Sequence, residues 1–437
     1  MSTQAPDSDR LDTAPARAVT IAPATAHVDP ARWPDVARVP DTSAARATIA
    51  RLVVRRALAA LPLRVAYGSG APAGGSGPLL TLRDPEAFFR RIGADGLIGF
   101  GESYMAGEWH TDDLVGVLTV LAANVADLVP RSLQRLRGAW ARRHPAADRN
   151  TLDGAKDNIH RHYDLSNDLF ALFLDETMTY SSAIFDRPRH DWTTLADAQH
   201  RKIDRLLDLA GVTAGTRLLE IGTGWGELAL RAAERGATVL TVTLSREQRL
   251  LAMRRIERAG YADRVTVELR DYREVRGTFD AVVSVEMIEA VGEEYWPVYF
   301  DALDRLTAPG GRVAIQAITM PHDRMVATRN TYTWIHKYIF PGGILPSVEA
   351  IGRLTAHTRL RISGDQGFGT HYARTLALWR ERFTSRAAEV AALGFDGTFR
   401  RMWEFYLAYS EAGFAAGYLD VRQILFTKTD ATAGGTR

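Results

Sequence analysis

Three glycines one residue apart, Gly222, Gly224 and Gly226, punctuate the stretch RLLEIGTGWGELAL just after an apolar run that holds Glu220. A glycine-rich turn behind a buried strand lets backbone approach a ligand closely, because no Cβ stands in the way. Dinucleotide folds use G-x-G-x-x-G, in which the third glycine seats helix on strand, whereas the spacing here is G-x-G-x-G. The Glu220 carboxylate sits badly beside a pyrophosphate and suits a ligand that carries positive charge.

Later strand ends carry further polar groups. LTVTLSREQ closes a second strand at Thr243 and Leu244, with Gln248 a helical turn further on. ELRDY closes a third with Asp271 and Tyr272, a carboxylate for an amino group and a ring for stacking. Glu289 stands two residues after Met287 in the apolar transition FDAVVSVEMIEAVG, where it is either a helix cap or a functional group.

The elements that must hold these groups follow from the pattern. After a helix, LADAQHRKIDRLLDLAG, strands are predicted at 216–221, 238–243 and VTVEL with helices between them, then at FDAVVSVEMI, GGRVAIQAI and VRQILFTK. Strands alternating with helices predict an α/β fold with a mixed, mostly parallel sheet. A basic, partly amphipathic helix is predicted in SAARATIARLVVRRALAALPLRV, with Ile49, Leu52, Val53 and Leu61 among Arg46, Arg51, Arg55 and Arg56. In PRSLQRLRGAWARRHPAADR, Arg131, Arg135, Arg137, Arg142 and Arg143 lie beside Trp140. That mixture suits an anionic headgroup layer, or simply a solvated helix face.

The expected organisation is a disordered leader over 1–40, a small α+β domain over 41–145, a linking helical segment over 146–195, the α/β domain over 196–428 and a disordered tail over 429–437. A net charge of +2 gives no general reason to expect nucleic-acid binding, and the absence of cysteine excludes disulfides, thiolate zinc sites and cysteine nucleophiles. The most apolar run, 114–123, is half of what a membrane span requires. His160 and His162 are two residues apart, a spacing that does not set both rings on one helix face, and no metal is expected.

E-x-G-x-G-x-G after a first strand resembles motif I of the class I (Rossmann-like) methyltransferases, whose S-adenosylmethionine carries an ammonium and a sulfonium. The succession HYDLSNDLFALFLDETMTYSSAIF, EIGTGWG, TLSREQ, RDY, VEMIEAVG, YIFPGG and HYARTLALW resembles the cyclopropane-fatty-acid synthase family over about residues 80–428. The resemblance implies a small N-terminal lipid-handling domain, a methyltransferase domain and alkylation of a cis double bond in a phospholipid acyl chain. It implies cofactor contacts at Tyr180, Ser181, Glu220, Gly222, Gly224, Gly226, Thr243, Leu244, Gln248, Asp271 and Tyr272. It also implies an active-site bicarbonate as base, held by the positions of Ser182, Glu289, Gln316, Ile318 and Tyr372. Ser182 replaces a cysteine of the family pattern and Gln316 a histidine. Residues 319–420, with Trp334, Tyr338, Phe340, Trp403, Phe405 and Tyr406, are expected to cover the acyl chain.

Methyl transfer to an alkene leaves a carbocation that either closes to a cyclopropane or, after a hydride shift, loses a proton to give a methylene branch. The segment QAITMPHDRMVATRNTYTWIHKYIFPGG resembles the methylene-forming, tuberculostearic-type branch of the family, which implies a separate reductase as partner. Peripheral association with the inner face of the membrane from the cytoplasm and a homodimer complete the expectations. The competing readings are a nicotinamide oxidoreductase, a small-amine N-methyltransferase and a binding module without turnover.

Overall fold

The computed structural model describes residues 28–124, 145, 151, 166–186 and 190–429. The arginine-rich stretch around Trp140, the pair His160 and His162, and the two chain ends lie outside the described residues. A small sheet joins β1 (Arg64–Tyr67), β2 (Ala73–Gly74), β3 (Leu79–Leu82) and β4 (Trp109–His110) in the order β2-β1-β3-β4. A second sheet of seven strands contains β5 (Arg217–Ile221), β6 (Thr238–Thr243), β7 (Val265–Leu269), β8 (Phe279–Val285), β9 (Thr307–Thr319), β10 (Leu360–Gly367) and β11 (Asp420–Lys428). Its order is β10-β11-β9-β8-β5-β6-β7. Pairings from β7 across to β9 are parallel, and β11 runs antiparallel between β9 and β10.

Parallel strands are covered on both faces, and β5, β6 and β8 accordingly each carry a run of consecutive buried residues. Neighbours nonetheless separate by face. Leu219 and Val282 pack with Tyr299 and Phe300 on one side, while Leu218, Ala281 and Val283 pack with Ala229 and Ile256 on the other. From β5 the chain builds outward through β6 and β7, then returns to the opposite side of β5 with β8. The crevice outside the carboxyl ends of β5 and β8 is therefore the topological switch point, where open α/β sheets receive ligands.

Strand β10 escaped the sequence pattern. Its residues, LRISGDQG, include two glycines and are mostly solvent-accessible, as befits the edge of a sheet. The folded chain also starts upstream of the boundary expected at residue 41. Val36 is buried, and the Trp33 indole donates to Asp396 Oδ2 at 2.8 Å.

The N-terminal segment does not close a core of its own. One apolar cluster unites Val36, Leu58, Phe88 and Trp109 with Phe170 of the following segment and with Trp379, Trp403 and Phe405 from the C-terminal half. Buried charges cross the same seam: Lys337 Nζ lies 2.6 Å from Glu102 Oε1, and the Tyr338 hydroxyl donates to that oxygen at 2.8 Å. In the helix Ala44–Ala59 the buried residues are Ala50 and Leu58, while Ile49 and Leu52, expected on the apolar face, are exposed. Among the described residues no helix is long and apolar enough to cross a membrane.

Candidate active site

A cavity of about 970 Å³ opens at the switch point and extends toward the N-terminal helices. That is the upper end of ordinary small-molecule sites, roughly 300–1,000 Å³. At its polar end lies the glycine loop. Gly222, Gly224 and Gly226 have φ of 98°, 52° and 92°, a region that L side chains enter only at a cost. Gly222 and Gly224 line the cavity. Gly226 does not; it caps the helix Glu227–Glu234, and a Cβ there would lie 3.0 Å from Ala252 Cβ, so its role is to seat that helix.

Glu220 lines the cavity, and burial pushes its carboxyl up to about 8. Its Oε2 is buried without a hydrogen-bond partner, which fits a cationic ligand at this position. Thr243 ends β6, Leu244 follows it, and Ser245 caps the helix Arg246–Arg258 by accepting from Gln248 N–H. That turn brings Gln248 Oε1 within 2.9 Å of the Thr243 hydroxyl, which donates to it. Asp271 caps the next turn and is gripped by Arg273 at 2.7 and 2.8 Å; beside it the Tyr272 hydroxyl is buried without a partner. Tyr180 and Ser181 complete this wall. The Tyr180 and Tyr406 hydroxyls meet at 2.5 Å, and Ser181 Oγ accepts from Lys202 Nζ at 2.7 Å. These groups fit an adenosyl cofactor bearing an ammonium and a sulfonium.

The groups expected to hold bicarbonate divide differently from the sequence reading. Ser182 N–H and Gln316 Nε2 donate to Oε1 of Glu286 at 3.0 and 2.8 Å, and the Tyr372 hydroxyl donates to its Oε2 at 2.7 Å. Three of the five expected holders thus already grip a carboxylate of the chain itself. Of the other two, Ile318 N–H donates to Glu289 Oε1 at 2.5 Å. Glu289 does not cap its own helix; its Oε2 has no partner, and burial, then the charge of Glu286, push it up to about 8. The Ser182 hydroxyl turns away to the carbonyl of Ala183. Ser182 and Gln316 stand behind Glu286 and do not line the cavity, whereas Glu286, Glu289, Ile318 and Tyr372 do.

Glu286 was missed by sequence reasoning, although it lies in the same heptapeptide as Glu289. It follows β8 directly and has φ of 51°, a strained conformation for a residue with a side chain. Burial raises its carboxyl, while the Ser182 N–H, the Tyr372 hydroxyl, the Gln316 amide and the Lys202 ammonium pull the other way. The signal was present: a carboxylate just after the buried run Ala281–Ser284 has no bland surface role.

Beyond these groups the wall is apolar. Of the residues expected in a cover, Trp334, Phe340, Phe405 and Tyr406 line it, whereas Tyr338 and Trp403 do not; Trp403 belongs to the core and Tyr338 packs against it. The far end is lined by Ile49, Val53, Ala57, Ile92, Leu118 and Leu121 of the N-terminal segment. Among the described residues no group of three His, Asp or Glu is arranged to hold a metal.

Comparison with known proteins identifies the family. Residues 150–424 match the family described as Mycolic acid cyclopropane synthetase. A tuberculostearic acid methyltransferase of Mycobacterium tuberculosis is 58% identical over 91% of this chain and 96% of its own. The cyclopropane-fatty-acyl-phospholipid synthase of Escherichia coli K12 is 34% identical over 82% of this chain and 91% of its own. A mycolic acid cyclopropane synthase solved with SAH and CTAB superposes with a TM-score of 0.58 at 31% identity, covering 62% of this chain and 98% of that one. The chain belongs to the mycolic acid cyclopropane synthetase family and is an S-adenosylmethionine-dependent methyltransferase.

Proposed function

We propose that this enzyme methylates the cis double bond of an unsaturated phospholipid acyl chain and releases a methylene-branched product, with Glu286 as the base. The observation that carries the reading is the Glu286 carboxylate, gripped by Ser182, Gln316 and Tyr372 and facing an apolar cavity continuous with Gly222 and Gly224. The identity with a tuberculostearic acid methyltransferase supports the same product class.

Bound S-adenosylmethionine supplies an electrophilic methyl group. Glu220, Gly222, Gly224, Thr243, Leu244, Gln248, Asp271 and Tyr272 would hold it, with Tyr180 and Ser181 on the same cavity wall. The apolar wall excludes water and holds the alkene in line, which matters because an alkene is a feeble nucleophile. Once the carbon–carbon bond has formed, the positive charge rests on the neighbouring chain carbon. A hydride shift moves it to the carbon bearing the new methyl. Glu286 then takes a proton from that methyl, and the electrons of the broken C–H bond form the exocyclic double bond.

A base at this point must accept a proton yet remain ionised beforehand, a combination that a buried but hydrogen-bonded carboxylate supplies. Bicarbonate does not fit as the base here, because Ser182 N–H, Gln316 and Tyr372 are committed to Glu286. Glu289, anchored on Ile318 N–H, shapes the floor beside it. Saturation of the methylene branch then falls to a separate reductase.

Access from a membrane surface is supported by Ile49, Leu52 and Leu97, exposed beside Arg51, Arg55 and Arg56 where the cavity reaches the N-terminal segment. The test is to supply purified enzyme with cofactor and monounsaturated phospholipid vesicles and to identify the product by NMR. Exocyclic methylene protons support the reading; cyclopropane protons transfer it to the ring-forming branch.

A further inference from the structure

Lys202 is a fully buried lysine that the chemistry above leaves without a role. It lies on the helix Leu195–Leu209 with Gln199 three residues before it, and the two side chains share a face. Gln199 Nε2 donates to the carbonyl of Ser181 at 2.9 Å, and Lys202 Nζ donates to the Ser181 hydroxyl at 2.7 Å. Lys202 also lines the same cavity as Glu220 and Glu286.

The acids around this ammonium are unequally compensated. Glu227 is neutralised by Arg255 at 2.6 Å and contacts His200 at 2.7 Å. Asp175 accepts from Thr177 N–H and has one oxygen without a partner. Glu220 likewise has an unpartnered oxygen, and Glu286 receives hydrogen bonds only from neutral groups. Glu289 adds a further acid next to Glu286, and Tyr372 faces both. A buried cation among such acids lowers the cost of charging each of them.

We propose that Lys202 is a positioning residue for both halves of the reaction: its ammonium fixes Ser181 against the cofactor and keeps Glu286 charged until the proton arrives. The inference rests on Glu286 being the base. Burial drives Lys202 down to about 8 while its acidic neighbours hold it up, so it stays protonated through the neutral range. Removing its charge leaves Glu286 in a cavity that favours the neutral carboxylic acid, and that form cannot take the proton.

The experiment compares Lys202→Gln, which retains a donor for Ser181 but no charge, with Lys202→Met, which lacks both. Turnover is followed from pH 5.5 to 9 with vesicles of monounsaturated phospholipid, and cofactor affinity by calorimetry. Removing a cation that shares the buried cavity lets the Glu286 carboxyl rise, so the acid limb of kcat moves up by about one pH unit in both variants. Lys202→Met alone weakens cofactor binding, about tenfold for one charge-assisted hydrogen bond. An acid limb that stays in place in Lys202→Gln overturns the proposal, as does equal cofactor loss in the two variants. If Lys202→Met fails to fold, the limb of Lys202→Gln decides alone; if neither folds, Lys202→Arg, which keeps the charge, should leave the acid limb in place, and a limb that moves up in that variant overturns the proposal. Failure of the underlying reading is recognised separately, as a Glu286→Gln variant that still turns over.

Discussion

Glu286→Gln is the most direct perturbation of this site because the substitution preserves shape and removes basicity. In the wild type Oε1 accepts from Ser182 N–H at 3.0 Å and from Gln316 at 2.8 Å, and Oε2 accepts from the Tyr372 hydroxyl at 2.7 Å. A glutamine keeps an acceptor for the first two donors. Its amide nitrogen faces the Tyr372 oxygen, which can accept. Bonds to a charged group, worth about 1.5–3 kcal/mol, become neutral ones worth about 0.5–1.5, but the cost of burying the charge also disappears. Thermal stability therefore changes little. Turnover loses the general-base contribution, a factor of about 10²–10⁴. The assay is single-turnover formation of the branched lipid, with cofactor affinity measured in parallel to show that the loop is intact. Near wild-type turnover in the variant refutes the reasoning, and so does wild-type activity that vanishes when dissolved bicarbonate is removed and returns when it is restored.

Glu289→Gln should change turnover little and leave cofactor affinity nearly intact, since Ile318 N–H retains an acceptor and Glu289, pushed up to about 8, is already mostly neutral near pH 7; steady-state rates and calorimetry check it. Cofactor binding near pH 7 should release close to one proton, because Glu220, pushed up to about 8, is mostly protonated in the free enzyme and ionises beside a cation. Calorimetry in buffers of different ionisation enthalpy reads that release, and Glu220→Gln should abolish it. Gly101→Ala places a Cβ 2.3 Å from Cδ1 of Trp334 and should cost about 1–3 kcal/mol through overpacking at the seam between the N-terminal segment and the cover, seen as a lower Tm.

The α/β fold was legible because buried parallel strands are written as apolar runs, and the glycine loop because few residues other than glycine accept its positive φ values. Residues that touch the cavity through local geometry, such as Thr243 at a strand end and Gln248 a turn later, were legible for the same reason. The convergence on Glu286 was not. It is assembled from residues 182, 286, 316 and 372, and sequence spacing says nothing about which of two acids three residues apart faces them. A left-handed backbone at Glu286 turns its side chain to those partners, and no residue-type pattern announces a non-glycine in that conformation. The shared core was hidden for a related reason, since an apolar residue signals burial and not the identity of its neighbour.

The charges in the cavity suggest why a resident carboxylate suits this reaction. With the cofactor bound, its sulfonium would lie in the cavity that Glu220, Lys202 and Glu286 also line, so that opposite charges would stand apart in a poorly screening interior. Transfer moves the positive charge from sulfur to carbon, and proton loss then discharges it on Glu286. Two opposite charges have annihilated, leaving a neutral thioether and a neutral carboxylic acid. An interaction that is weak in water becomes a substantial driving force where water is excluded. The cost is deferred to the return step, in which Glu286 must give up its proton in a buried site that favours the neutral acid. Lys202, within the same cavity, offsets that cost. Regeneration of the base should therefore limit turnover at low pH, and a solvent isotope effect on multiple-turnover rates that is absent from the first turnover is the expected signature. An equal isotope effect in both regimes would place the slow step in the chemistry itself.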